Sequence, residues 1–110
     1  MEDNELMNSL SEVVKEHQQL VKRALGIYSV QVSELINSQT KNNEEIQHLL
    51  DGLLDFCFDD DFLLLFKKVC RYYYPINPQV TVNYVYFYRD MWDENYQPKA
   101  GNNSEENNKI

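Results

Sequence analysis

The chain has little of what chemical sites are usually made from. Among 110 residues it holds two histidines, two cysteines and one tryptophan. No two of His17, His48, Cys57 and Cys70 stand at the two-to-four-residue spacing of a structural zinc module. Nothing beside either cysteine marks it as an activated nucleophile, so the expectation is two buried, reduced thiols and no Cys/His pair. Asp51, Asp55 and Asp59 would share one helix face if a helix ran on through Phe58. They lack the interleaved ligands and the glycine of a calcium loop, and read as a solvated face with capping residues. No metal or other cofactor is expected, and no catalytic residue can be named.

Long apolar runs are missing too. The run Phe62 to Phe66 follows the acidic triplet Asp59-Asp60-Asp61 and falls far short of the ~20 residues that cross a bilayer, so no membrane contact is expected. The first residues, MEDNEL, are acidic and carry neither the basic region nor the apolar core of a secretion signal. The expected compartment is the cytoplasm, where disulfides are rare. Basic residues are scarce: 10 Lys and Arg against 18 Asp and Glu give a formal charge of -8 and a pI near 4.6. A phosphate backbone is held by clustered bases, so direct nucleic-acid binding is not expected. Such an acidic exterior suits a protein partner with a basic surface.

What the chain does have is apolar periodicity. Hydrophobic residues make up 43% of it, enough for one modest core. From Leu6 the positions Leu10, Val13, Leu20, Ala24 and Ile27 keep a four-three heptad spacing, with His17 alone breaking the apolar register. This predicts a long amphipathic helix over about 4–37. The seam moves by one residue to Tyr28, Val32 and Leu35, as a 3.6-residue helix outruns a 3.5-residue repeat. Gly26 sits at the shift, where a kink or break would cost little. Unbroken, the helix would be about 50 Å long at 1.5 Å per residue, longer than the ~30 Å of a small domain. Either it bends at Gly26, or its overhang packs on a second copy through Leu6, Leu10, Val13, Leu20 and Ile27.

The segment 37–43 carries no apolar residue and reads as a loop. Asn42 or Asn43 then caps a helix with Glu44 and Glu45 at its positive end and Ile46, Leu49, Leu50, Leu53, Leu54 and Cys57 on its apolar face. The aspartate triplet starts a third helix, Phe62 to about Tyr73, whose last turns carry Lys67, Lys68 and Arg71. Phe62 to Phe66 is apolar on every side and suggests a helix with neighbours all round.

Asn77-Pro78 reads as an N-cap and first helical residue. Beyond it Gln79, Asn83, Tyr86, Asp90 and Asp93 fall on one face, Val80, Tyr84, Phe87 and Met91 oppose them, and Val85, Tyr88 and Trp92 flank that stripe. The alternative is a strand, since VTVNYVYFY is β-branched and aromatic. Paired with 27–32, segment 80–88 would make the fold α+β. A strand leaves Met91 and Trp92 unexplained, so the reading adopted is all-α, a bundle of four or five helices over 1–95 with a disordered polar tail over 96–110.

The aromatic residues around the last helix are the strongest candidates for function. Tyr72, Tyr73, Tyr84, Tyr88 and Trp92, with Arg89 as an anchor, combine large apolar area with polar tips, the chemistry of protein interfaces. The expected role is protein binding without catalysis, as an inhibitor, adaptor or accessory subunit. The alternative is a self-associating coiled-coil protein, a homodimer.

Overall fold

Three side-chain caps set where helices begin. Asn42 accepts a hydrogen bond from the Glu45 amide, Asp59 from the amides of Asp61 and Phe62, and Asn77 from the amide of Val80. Each satisfies amides that a helix start leaves without partners. Pro78 occupies the first turn of the last helix, where its missing amide costs nothing. Thr81 reinforces that turn by donating its hydroxyl to the Asn77 carbonyl at 2.8 Å.

The computed structural model describes residues 2–93, with side chains from Asn4 onward. It contains four helices: α1 Glu2–Ser38, α2 Asn43–Leu54, α3 Asp60–Tyr73 and α4 Pro78–Trp92. Segments 27–32 and 80–88 are both helical, so the α+β alternative does not form. Capping and the run of helical turns through Trp92 prevail over the β propensity of VTVNYVYFY. The polar segment expected to be disordered, 96–110, lies outside the described residues.

Helix α1 does not break at Gly26. It runs for 37 residues, about 55 Å at 1.5 Å per residue, and ends at Gln39, whose φ of 56° reverses the chain. The helix α2 ends earlier than its apolar residues suggest, at Leu54, and a turn over 55–59 leads into α3. That turn dissolves the aspartate stripe. Asp55 is the α2 C-cap and Asp59 the α3 N-cap, while Asp51 accepts a hydrogen bond from Tyr84 at 2.6 Å.

The α3 helix is the hub of the bundle, packed against α1, α2 and α4. Its Phe62, Phe66, Val69 and Tyr73 meet Val32 of α1 and Ile46, Leu50 and Leu53 of α2 in one continuous core. Phe62 stacks on Phe56 with ring centroids 4.6 Å apart and takes the edge of Tyr28 at 5.7 Å. Three neighbours do not enclose it fully: Leu64 remains 62% exposed. The radius of gyration is 18.2 Å, against the ~13 Å of a compact 100-residue domain. The excess follows from α1, whose first half extends past the bundle.

Candidate functional site

The candidate aromatic residues divide into those that hold the bundle together and those that face out. Tyr73 and Tyr84 are buried, and Tyr72, Tyr88 and Trp92 are half-buried. Their polar tips are engaged within the chain. The Tyr72 hydroxyl donates to the Thr40 carbonyl at 2.6 Å, tying α3 to the α1–α2 loop. The Tyr73 hydroxyl makes a short bond to Asn43 Oδ1 and receives one from Gln47 Nε2 at 3.0 Å. The cap Asn77 also donates to Asn43 Oδ1, at 3.2 Å, so the starts of α2 and α4 share one polar network. Trp92 Nε1 donates to the Leu54 carbonyl at 2.8 Å, at the end of α2, where the same carbonyl accepts the Cys57 amide at 3.3 Å.

Tyr84 is held the same way, donating to Asp51 across the α2–α4 gap. Burial pushes its phenol above the ordinary range, and the hydrogen bond to the Asp51 carboxylate, then its charge, push further the same way. Burial likewise raises Tyr88, with Asp93 adding to it. Such phenols stay protonated at neutral pH and are poor bases.

Arg89 is exposed and lies 5.9 Å from the Tyr86 ring centre, in cation–π range. The outer face of α4 is made by Val82, Tyr86, Phe87 and Met91, each 40–49% exposed. Phe87 and Met91, placed on the inner stripe by periodicity, therefore look outward. Tyr84 holds its expected inner position, and Thr81 and Tyr88 join it in place of Phe87 and Met91. α4 rests chiefly on α3, and a single neighbour buries only a narrow lane.

The cysteines are free and buried, and desolvation pushes both thiols up to about 12, the neighbouring Cys70 adding to the rise at Cys57. Cys57 Sγ donates to the Leu53 carbonyl at 3.4 Å. These thiols are unreactive packing groups, as their context suggests. His48 is exposed at the rim of an open groove of about 650 Å³ between α1 and α2, beside Glu34, Glu45, Asp51 and Asp55. His17 is exposed on α1 and stacks on Phe58 at 5.8 Å. Among the described residues no three His, Cys, Asp or Glu side chains converge where a metal ion could be held. None of the described helices is long and apolar enough to cross a membrane.

The largest surface without a covering neighbour is the first half of α1. Every residue over 4–20 is exposed, including Leu6, Met7, Leu10, Val13, Val14 and Leu20 at 51–64%. Ile27 is 60% exposed as well, so all five residues of the candidate self-association seam face solvent. At 100° per residue, the mean direction of Leu6, Met7, Leu10, Val13 and Val14 lies within about 10° of the mean direction of Val21, Tyr28, Val32 and Leu35. The latter four lie against the bundle. The arm is therefore a bare continuation of a docking face. Leu20 and Ile27 lie to one side of that face, because a strict heptad drifts around a 3.6-residue helix. Met7 and Val14, which the heptad passes over, sit on the face itself; the 3.6 period was the signal that finds them.

A search of protein families finds no model that matches the chain, and no curated protein or solved structure matches it either.

Proposed function

We propose that this chain acts by binding protein, without catalysis, and that the α1 arm is its principal contact surface. The observation that carries this reading is the bare apolar face of residues 6–14, collinear with a face that the same helix buries against its own bundle. Helices that stay amphipathic beyond their domain do so where something covers the apolar side, since an exposed stripe of this kind costs solubility. The engaged tyrosine tips, the unreactive thiols and the absence of a metal-holding cluster among the described residues give no support to an enzymatic reading.

A second contact is favoured by the exposed side chains of α4, where Tyr86 stands beside Arg89 and Val82, Phe87 and Met91 are exposed as well. Exposed aromatics with an arginine are the usual material of binding hot spots. With a chain charge of -8, this face suits a partner whose surroundings are basic, in the manner of an adaptor, inhibitor or accessory subunit. The setting that suits the reduced thiols is the cytoplasm.

The test is affinity capture under native conditions with three baits: the wild-type chain, Leu10→Glu/Val14→Glu, and Tyr86→Ala/Phe87→Ala. The arm variant should lose its bound protein, a second copy of the chain included, while the α4 variant retains it. An unchanged set of bound proteins for the arm variant would refute the reading.

A further inference from the structure

We infer that the cleft between α3 and α4 takes a short acidic segment of a partner protein, its apolar side chains entering the cleft and its carboxylates meeting Lys67 and Arg71. This is a site separate from the α1 arm, and it stands or falls apart from the reading of the arm.

α4 packs chiefly on α3, and between the two helices a cleft of about 510 Å³ stays open, within the roughly 300–1,000 Å³ of ligand-sized pockets. Leu63, Phe66 and Cys70 of α3 and Val85 and Tyr88 of α4 line it, at three- and four-residue spacings that put each set on one helix face. Phe66 and Cys70 are buried and the other three half-buried. The rings of Phe66 and Tyr88, 6.0 Å apart at their centres, join the two walls. Burial keeps the Tyr88 phenol protonated, so it adds no negative charge to the cleft at neutral pH.

The rim carries the opposite charge to the chain. Lys67 and Arg71 stand one turn apart on α3, both exposed, and Arg89 lines the α4 side, against a single acid, Asp93. The C-terminal ends of α3 and α4 favour bases, but a helix dipole does not choose their side, and these three border one cleft. The groove between α1 and α2 is the reverse, bordered by Glu34, Glu45, Asp51 and Asp55 and by no Lys or Arg. An apolar floor under a basic rim fits a ligand that is apolar and anionic at once. In a protein segment that is Leu, Phe or Trp set among Asp and Glu. Screening acts over about 8 Å at physiological ionic strength, so a short segment responds to the rim it touches. A nucleic acid or an anionic membrane extends past the rim and meets the net charge of -8.

The experiment offers the immobilised full chain to a display library of short random peptides, then measures the enriched peptides by fluorescence anisotropy and by amide spectra of the isotope-labelled chain. Enriched peptides should combine Asp or Glu with Leu, Phe or Trp and shift the amides of Phe66, Lys67, Val85 and Tyr88. They should bind Lys67→Glu/Arg71→Glu about tenfold more weakly. Lys67→Gln/Arg71→Gln should give a smaller loss of the same sign, which keeps the test if charge reversal disturbs the end of α3. The charge-matched Lys22→Glu/Arg23→Glu, at exposed positions of α1, should change affinity by less than about twofold. An equal loss in both charge-reversed variants means that only net charge is felt, and overturns the proposal. So does a library that yields no peptide, or only basic or uncharged ones, or peptides lost with Leu10→Glu/Val14→Glu, which would sit on the arm. Binding to anionic phospholipid vesicles through Lys67 and Arg71 in place of any peptide overturns it too. A nitroxide at Asn103→Cys that broadens Val85 and Tyr88 in the free chain would put the chain's own residues 94–110 in the cleft, and likewise overturns it.

Discussion

Gly52 provides a test of how α1 docks on α2. It lies within α2, where replacing glycine by alanine ordinarily gains about 1 kcal/mol through reduced backbone freedom. Here a Cβ would overlap the Tyr28 hydroxyl and come within 3.0 Å of Tyr28 Cε1 and Cζ. The tyrosine has little room to retreat, since its ring packs against the stacked pair Phe56 and Phe62. Overpacking of this kind costs typically 1–3 kcal/mol, so Gly52→Ala should come out destabilised by about 1 kcal/mol, lowering the melting temperature by roughly 4–8 °C. Tyr28→Leu removes all three offending atoms and keeps apolar bulk. In that background the same glycine change should stabilise by about 1 kcal/mol, a coupling of roughly 2 kcal/mol in the double-mutant cycle. Urea titration followed by circular dichroism measures each corner. If Gly52→Ala stabilises the wild type as much as it does Tyr28→Leu, then Tyr28 does not pack over Gly52, and the placement of α1 on α2 is refuted.

Gly26 is the opposite case: a Cβ there meets nothing within 4 Å, so Gly26→Ala should raise stability by about 1 kcal/mol in thermal melts, and a loss would indicate a bend at that point. Asn77→Ala should cost about 1 kcal/mol by removing the α4 cap, somewhat more if the Asn43 bond adds to it, with the loss read from urea midpoints. Trp92→Phe keeps most of the ring and removes the donor to Leu54, so it should cost about 1 kcal/mol, and no change would show that this bond does not fasten α4 to α2. Stability should also fall as pH rises from about 9 toward 12. Cys57 and Cys70 have folded values raised above 9.0, so over that interval the unfolded chain releases protons that the folded chain retains. Denaturation curves at pH 8, 10 and 11 check the sign, and a flat profile would mean the thiols are not desolvated.

Much of the fold follows from chemistry within a few residues of chain. Asn42, Asp59 and Asn77 start helices because their side chains reach amides two or three positions ahead, an effect that needs no tertiary partner. The amphipathic pattern of α1 was readable too, since its apolar spacing persists from Leu6 to Leu35, but whether the helix broke at Gly26 stayed open in the sequence; the structure carries it through, as one glycine costs only about 1 kcal/mol. Self-association through Leu6, Leu10, Val13, Leu20 and Ile27 was suggested by that spacing; all five are exposed, but Leu20 and Ile27 lie off the face that Leu6, Leu10 and Val13 share.

Which face of each helix meets a neighbour was settled only in three dimensions. Periodicity set Phe87 and Met91 on one stripe of α4 with Tyr84 and left Tyr88 on its flank; in the structure Tyr84 is buried, Tyr88 half-buried, and Phe87 and Met91 exposed. Packing on α3 and the hydrogen bonds of Tyr84 and Trp92 to α2 made that choice. The tyrosines around it were interface candidates because their rings join large apolar area to polar tips. Asn43, Gln47, Asp51 and the Thr40 carbonyl, about 30 residues away in sequence, engage those tips instead, and pairings across such separations leave no local trace in the chain. The same holds for the arm: sequence gives α1 one apolar face, and only the placement of α2 and α3 decides that half of it is covered by this chain and half is exposed.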